Sequence, residues 1–237
     1  MQAVILAGGL GTRMRPFTET APKCLLPVHG RPFIDYKLEL LKHGGIRDIV
    51  LCVGYLGEMV ESHVGDGGDR GMDIQYSWDP REPGGTAGAL KHAEQLLDGR
   101  FFLTWGDSYV RVDHNAMYAA HCAGAPEVIV TMGVFHNENA YDSSNVQVDG
   151  AKATCYAKGS PGKGFAYIDA GISVFERSAV AEIPPEQNLA LDGFFSSWAG
   201  SGSLGAYPVK KRFYEVGSPA GLQDFEKFVA EGKDLLA

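Results

Sequence analysis

Gln2-Ala3-Val4-Ile5-Leu6-Ala7-Gly8-Gly9-Leu10-Gly11-Thr12-Arg13-Met14-Arg15-Pro16 passes from an apolar run into glycines and then into cations. Ala3 to Ala7 has the length and unbroken apolarity of a strand buried on both faces, and the glycines stop it. Three glycines directly after a strand let the backbone approach a ligand closely, and their amides can face phosphate oxygens. Arg13 and Arg15, joined by Lys23 of Pro22-Lys23-Cys24-Leu25-Leu26-Pro27, set three cations beside the turn, an arrangement suited to a polyphosphate. The spacing GGxGTR matches neither GxxxxGK[ST] nor GxGxxG, so this is not a Walker A loop or a dinucleotide fingerprint.

The strand and loop open a repeating pattern. Phe33 to His43 places apolar residues at helical spacing and stops at Gly44-Gly45. Asp48 to Val53 reads as a strand, Glu58 to Val64 as a helix, Met72 to Trp78 as a strand, Thr86 to Leu97 as a helix and Phe101 to Trp105 as a strand. Alternation of this kind predicts an α/β protein, a three-layer α/β/α sandwich around a mixed, mainly parallel central sheet. The later half is less regular, with strands expected at Val128 to Phe135, Val146 to Val148, Ala153 to Tyr156, Ile172 to Phe175 and Leu204 to Pro208. Helices are expected at Asn115 to Cys122, Leu189 to Trp198 and Pro219 to Val229. Turn signals between Asn137 and Gly164 predict a hairpin-bearing, lid-like insertion within a single domain spanning residues 1–237.

Composition narrows the function. The 237 residues, 45% apolar, suffice for one sizeable core. Twenty-one Lys plus Arg against 29 Asp plus Glu leave a net charge of -8, which argues against nonspecific attraction to nucleic acid or acidic membranes. The four cysteines stand far apart with no zinc-type spacing, and no apolar run is long enough to span a bilayer, so reduced thiols and a cytoplasmic location are expected. The seven histidines form no recognisable triad spacing.

The combination GGxGTRxRPxT followed by PKxLLPV resembles the signature of the sugar-1-phosphate nucleotidylyltransferases, also called nucleotide-sugar pyrophosphorylases. The likeness continues through Gly85-Thr86-Ala87-Gly88-Ala89, Trp105-Gly106-Asp107, Asp169-Ala170-Gly171 and Tyr214-Glu215-Val216-Gly217, covering nearly the whole chain. It implies a Rossmann-like nucleotidyltransferase fold and two substrates, a nucleoside triphosphate and a sugar 1-phosphate, joined with release of pyrophosphate. It also allows a homo-oligomer without fixing a subunit number. The chain stops soon after its last expected helix, so the long C-terminal extension of some relatives is not expected.

Residue by residue, the resemblance places Leu6, Ala7, Gly8, Gly9, Gly11 and Thr12 around the nucleotide, with Arg13 and Lys23 as catalytic cations on its phosphates. Gly85 and Thr86 correspond to the segment that holds the base; Glu82 and Asp79 upstream have carboxylates able to accept from a base edge, or are solvated loop charges. Asp107 ends an apolar strand where α/β sheets present ligand-binding groups, and a carboxylate there suits Mg²⁺; the alternative is a strand-end turn. The family's second metal carboxylate falls at Glu215, one methylene longer than the usual Asp. Lys158 matches the lysine that meets the acceptor phosphate, although Ala157 replaces the neighbouring acidic residue. Asp169 and Gly171 match the acceptor-binding motif, with Asp for Asn. The loss at Ala157 leaves room for an acceptor that is not a sugar, such as phosphocholine with a cytidylyl donor. Two other classes compete: a nucleotide-binding regulatory module without activity, and a glycosyltransferase, whose DxD motif Trp105-Gly106-Asp107-Ser108-Tyr109 lacks.

Overall fold

The computed structural model describes residues 1–79, 85–159, 164–185, 188–232 and 235–236. In chain order the strands are β1 (Gln2–Leu6), β2 (Pro27–Val28), β3 (Arg31–Pro32), β4 (Asp48–Val53), β5 (Asp73–Trp78), β6 (Arg100–Trp105), β7 (Ser108–Tyr109), β8 (Val130–His136), β9 (Val146–Asp149), β10 (Lys152–Tyr156), β11 (Tyr167–Glu176), β12 (Leu204–Val209) and β13 (Tyr214–Glu215). The helices are α1 (Phe33–His43), α2 (Gly57–Val64), α3 (Gly85–His92), α4 (His114–Cys122), α5 (Arg177–Ala181), α6 (Leu191–Ser201) and α7 (Pro219–Ala230).

Nine strands form one mixed sheet in the order β5-β4-β1-β6-β11-β8-β12-β10-β9. β5, β4, β1 and β6 run parallel. β11 then lies antiparallel between β6 and β8, and β12 rejoins β8 in parallel. Strand alternation builds the layers, because successive side chains point to opposite faces. Val4, Val50, Cys52, Phe101 and Leu103 pack with Ala87, Leu90, Phe195 and Trp198 of α3 and α6. Ala3, Ile5, Ile49, Leu51 and Phe102 point the other way, onto Ile34 and Leu38 of α1, Val60 of α2 and Met117 of α4. A third cluster joins Phe33, Tyr36 and Tyr109 to Phe225 and Phe228, docking α7 against α1 and the short β7–β13 pair.

Three local readings change. The helix expected over Thr86 to Leu97 ends at His92, and Glu94–Leu96 forms a separate 3₁₀ turn. The Gln2 side chain holds this turn, donating to the Leu96 carbonyl at 3.0 Å and accepting from the Asp98 amide at 2.8 Å, so that Leu97 leaves extended toward β6. β11 is ten residues long rather than the four expected, with its register broken between Asp169 and Ser173 around Gly171 at φ +87°. The five-residue α5 follows it at once and has too few residues to show a helical period.

Candidate active site

β1 delivers its glycine loop at the carboxyl ends of the parallel strands, where helices and strands leave a crevice in open α/β sheets. Gly8 is required there by space: a Cβ would lie 2.6 Å from Asp79 Oδ2 and 3.2 Å from the Gly54 amide nitrogen. Gly9 faces open space and Gly11 adopts φ +61°, its carbonyl accepting from the Thr18 hydroxyl at 2.8 Å.

A cavity of about 510 Å³ opens above this loop. Leu6, Ala7, Gly8 and Gly9 form its floor, Arg13 and Lys23 enter from the loop, and Gly85 and Thr86 close one side. Asp107, Glu215 and Lys158 complete the wall. Residues from six separate stretches of sequence therefore meet in one place. Gly11 and Thr12 stand outside this lining and shape the turn instead. Glu82 lies outside the described residues.

The charged groups are closely coupled. Lys23 Nζ donates to Asp107 Oδ2 at 2.8 Å, with the side chains 19% and 23% exposed, so the pair is partly desolvated but still open to a ligand. β7 and β13 pair Ser108 with Glu215, which draws the two carboxylates together. A Cβ on Gly217 would collide with Glu215 Oε2 and lie 2.8 Å from Asp107 Oδ2. Glu215 is oriented by the Gly217 amide on Oε2 and the Ser218 hydroxyl on Oε1, each at 2.7 Å. Among the described residues no group of three or more His, Cys, Asp or Glu is placed to hold a metal. Asp107 and Glu215, whose carboxylates both approach one point beside Gly217, are the residues that could hold Mg²⁺ if phosphate oxygens of a ligand completed its coordination.

A second cavity of about 420 Å³ adjoins the first and shares Arg13, Trp105, Lys158 and Glu215 with it. Asp169 lines this second space, and its Oδ1 accepts from the Gly171 amide at 2.8 Å. Burial pushes Asp169 up to about 6, opposed by the Gly171 amide and the Lys158 charge. Gly171 is fixed by contact: a Cβ would lie 2.8 Å from Ser108 Oγ and 3.0 Å from Trp105 Cδ1. Lys158 Nζ stands 5.7 Å from the Trp105 ring centre and 3.3 Å from Asp192 Oδ1.

A scan against protein families matches residues 2–230 to the model described as nucleotidyl transferase. The chain belongs to that family. Among curated proteins it is 43% identical over 119 residues to the N-acetylmuramate alpha-1-phosphate uridylyltransferase of Neisseria meningitidis, covering 50% of this chain and 52% of that protein. It is 31% identical over 207 residues to the UTP–glucose-1-phosphate uridylyltransferase of Synechocystis, covering 81% of this chain and 53% of that protein. The chain thus spans about half the length of these curated relatives. HddC from Yersinia pseudotuberculosis, solved with GMP-PN, superposes with a TM-score of 0.79 over 96% of this chain and 99% of that one; at 23% identity this shows the fold.

Asp192, Asp79, Thr86 and Cys24 also line this candidate site. Asp192, in the first turn of α6, accepts from both Lys158 and the Tyr156 hydroxyl, the latter at 3.1 Å, yet belongs to no motif. Asp79 Oδ1 is buried without a hydrogen-bond partner among the described residues, and burial raises its carboxyl above the usual range. Thr86 contributes structurally: its hydroxyl oxygen accepts from the Leu191 amide at 2.9 Å, tying α3 to the start of α6. Cys24 lines the cavity but is 2% exposed, and burial pushes its thiol up to about 12, so it is no nucleophile at neutral pH.

Proposed function

We propose that the chain transfers a nucleotidyl group from a nucleoside triphosphate to a sugar 1-phosphate or a similar small phosphorylated acceptor, releasing pyrophosphate. The observation that carries this reading is the meeting of Arg13, Lys23, Asp107, Glu215 and Lys158 around one cavity floored by the glycine loop. The names of the relatives, uridylyltransferases acting on N-acetylmuramate α-1-phosphate and glucose 1-phosphate, support the same substrate classes.

In this reading a phosphate oxygen of the acceptor attacks the α-phosphorus in line, the bond to the β-phosphate breaks, and pyrophosphate leaves. No covalent nucleophile is needed, only alignment and neutralisation of the oxygens around phosphorus. Backbone amides of Gly8 and Gly9 face the phosphates, Lys23 leaves Asp107 to meet them, and Arg13, which borders both cavities, sits where donor and acceptor join. Lys158 holds the acceptor phosphate, and Asp169 accepts from an acceptor hydroxyl. Asp107 and Glu215 would hold Mg²⁺, which when bound supplies charge neutralisation on the phosphate oxygens. Asp142, Asn145, Tyr156 and Lys158 border the second cavity, which supports a role for residues 137–159 of the expected insertion as a flap over the acceptor; residues 160–163 lie outside the described residues. A reducing, cytoplasmic setting completes the proposal.

The test is pyrophosphate release from each NTP with a panel of sugar 1-phosphates and phosphocholine, with Mg²⁺ and with EDTA. Release with one pair and its loss in EDTA is the expected result. No release from any pair defeats the proposal in favour of a binding module without activity, and turnover with phosphocholine alone shifts it to a non-sugar acceptor.

A further inference from the structure

Lys37 lies in the middle of α1 and is 3% exposed. Lysines are almost never fully buried unless paired, and burying an ammonium is costly. Among the described residues no carboxylate forms an ion pair with it, and its partners are neutral oxygens. Its Nζ donates to Thr104 Oγ1 at 2.9 Å and to the Ser108 carbonyl at 2.7 Å. These two acceptors bracket Trp105-Gly106-Asp107, the turn that presents the candidate metal carboxylate to the cavity.

The connections go further in both directions. The Thr104 hydroxyl in turn donates a hydrogen bond to the Gly171 carbonyl at 2.8 Å, and the Gly171 amide donates to Asp169 Oδ1 at 2.8 Å. On the other side Ser108 pairs with Glu215 across β7 and β13, and the Asp107 carbonyl accepts from the Val216 amide at 2.8 Å. The missing side chain of Gly171 allows it to pack on Ser108 and Trp105, so these segments have little slack between them. A methionine would fill the same apolar layer beneath the sheet without any desolvation cost, but it has no donor for either acceptor. A buried amine in that layer, held by two hydrogen bonds, therefore calls for a task that packing alone does not explain.

We propose that Lys37 is a positioning residue: from behind the sheet it fixes the placement of Asp107 and Glu215, the metal carboxylates, relative to Asp169, the acceptor carboxylate. The inference rests on the nucleotidyl transfer reading for the roles of these three groups. It assigns to α1 a part in the reaction although no atom of Lys37 reaches either cavity.

The experiment compares wild type with Lys37→Met, Lys37→Gln and Thr104→Val, each as the full chain. Expected for Lys37→Met is a kcat at least tenfold lower with KM for the NTP within twofold, and Mn²⁺ binding in the presence of the NTP, read by electron paramagnetic resonance, at least fivefold weaker. Lys37→Gln, which keeps N–H donors on a shorter side chain, recovers part of both losses. Thr104→Val is close in shape and leaves the lysine in place; it lowers kcat severalfold, and combined with Lys37→Met it adds less than its own single effect. Wild-type kcat and Mn²⁺ affinity in folded Lys37→Met overturns the proposal. If Lys37→Met does not fold, wild-type behaviour of Thr104→Val overturns it alone. A wild-type chain that binds Mn²⁺ but releases no pyrophosphate overturns the activity reading, and Mn²⁺ binding in the variants still decides the role of Lys37. A wild-type chain with neither property overturns both.

Discussion

Lys23 and Asp107 are the pair on which the site turns, and their contact sets an asymmetry between two substitutions. Asp107→Asn removes a charge that Lys23 and a metal would share, whereas Lys23→Ala removes a cation that a triphosphate would meet. Both should lower kcat/KM by roughly 10²- to 10³-fold, in line with the loss of one electrostatic contact of about 3 to 4 kcal/mol. Only Asp107→Asn should also raise the Mg²⁺ concentration needed for half activity, and equal shifts in both variants would deny Asp107 its metal role. Asp169 makes a separate prediction through pH. Burial raises its carboxyl from 3.8 to about 6, so between those values the folded chain binds a proton that the unfolded chain has released. Stability contributed by this group is therefore complete below about 4 and is lost as pH rises through about 6, by at most about 3 kcal/mol. Urea unfolding of wild type and Asp169→Asn at pH 4.5 and 7 checks the sign: the difference in stability between the two proteins should move in favour of the variant as pH rises.

At the level of elements, β7–β13 is the joint that makes the site, although each of these strands has only two residues. Gly217 follows it, and a Cβ there would displace the carboxylate tips of Glu215 and Asp107. Gly217→Ala should thus cut turnover at least tenfold while leaving the melting temperature within a few degrees, because the collision is with carboxylate tips and not with the core. An unchanged rate would mean the carboxylates can move apart without consequence. The same joint marks where sequence reading stops. β1, α1 and β4 are legible because long apolar runs have a clear period, and α1 and β4 match their expected bounds. Two-residue strands have no period, so the convergence of Asp107 with Glu215 is visible beforehand only through the family resemblance. Lys37 is hidden for another reason: within Phe33 to His43 a lysine reads as a solvated position, and only the tertiary contact with Thr104 and Ser108 reveals it as buried. Asp192 likewise enters through folding, since its partners Tyr156 and Lys158 lie 36 and 34 residues earlier in the chain.

Across the whole molecule, an acidic chain gathers Arg13, Lys23 and Lys158 with Asp107 and Glu215 in one crevice, between layers that are otherwise apolar. Such a crevice leaves charge partly desolvated before any ligand arrives, and a ligand that completes the pairing stabilises the folded chain by mass action. An NTP with Mg²⁺ at 100 times its dissociation constant should add about 2.7 kcal/mol, which for a chain of this size raises the melting temperature by roughly 5 to 10 °C. The two components should depend on each other. NTP in EDTA should give a smaller shift than NTP with Mg²⁺, and Mg²⁺ alone almost none, because two carboxylates without phosphate oxygens leave its coordination incomplete. Glu215→Gln separates this coupling from simple charge repair. Its melting temperature without ligand should equal or exceed that of wild type, since one of two facing carboxylates is gone, while its shift with Mg²⁺ and NTP should fall to the level seen in EDTA. Differential scanning fluorimetry across these six conditions reads both effects, and a full Mg²⁺-dependent shift in Glu215→Gln would show that the metal is held without this residue.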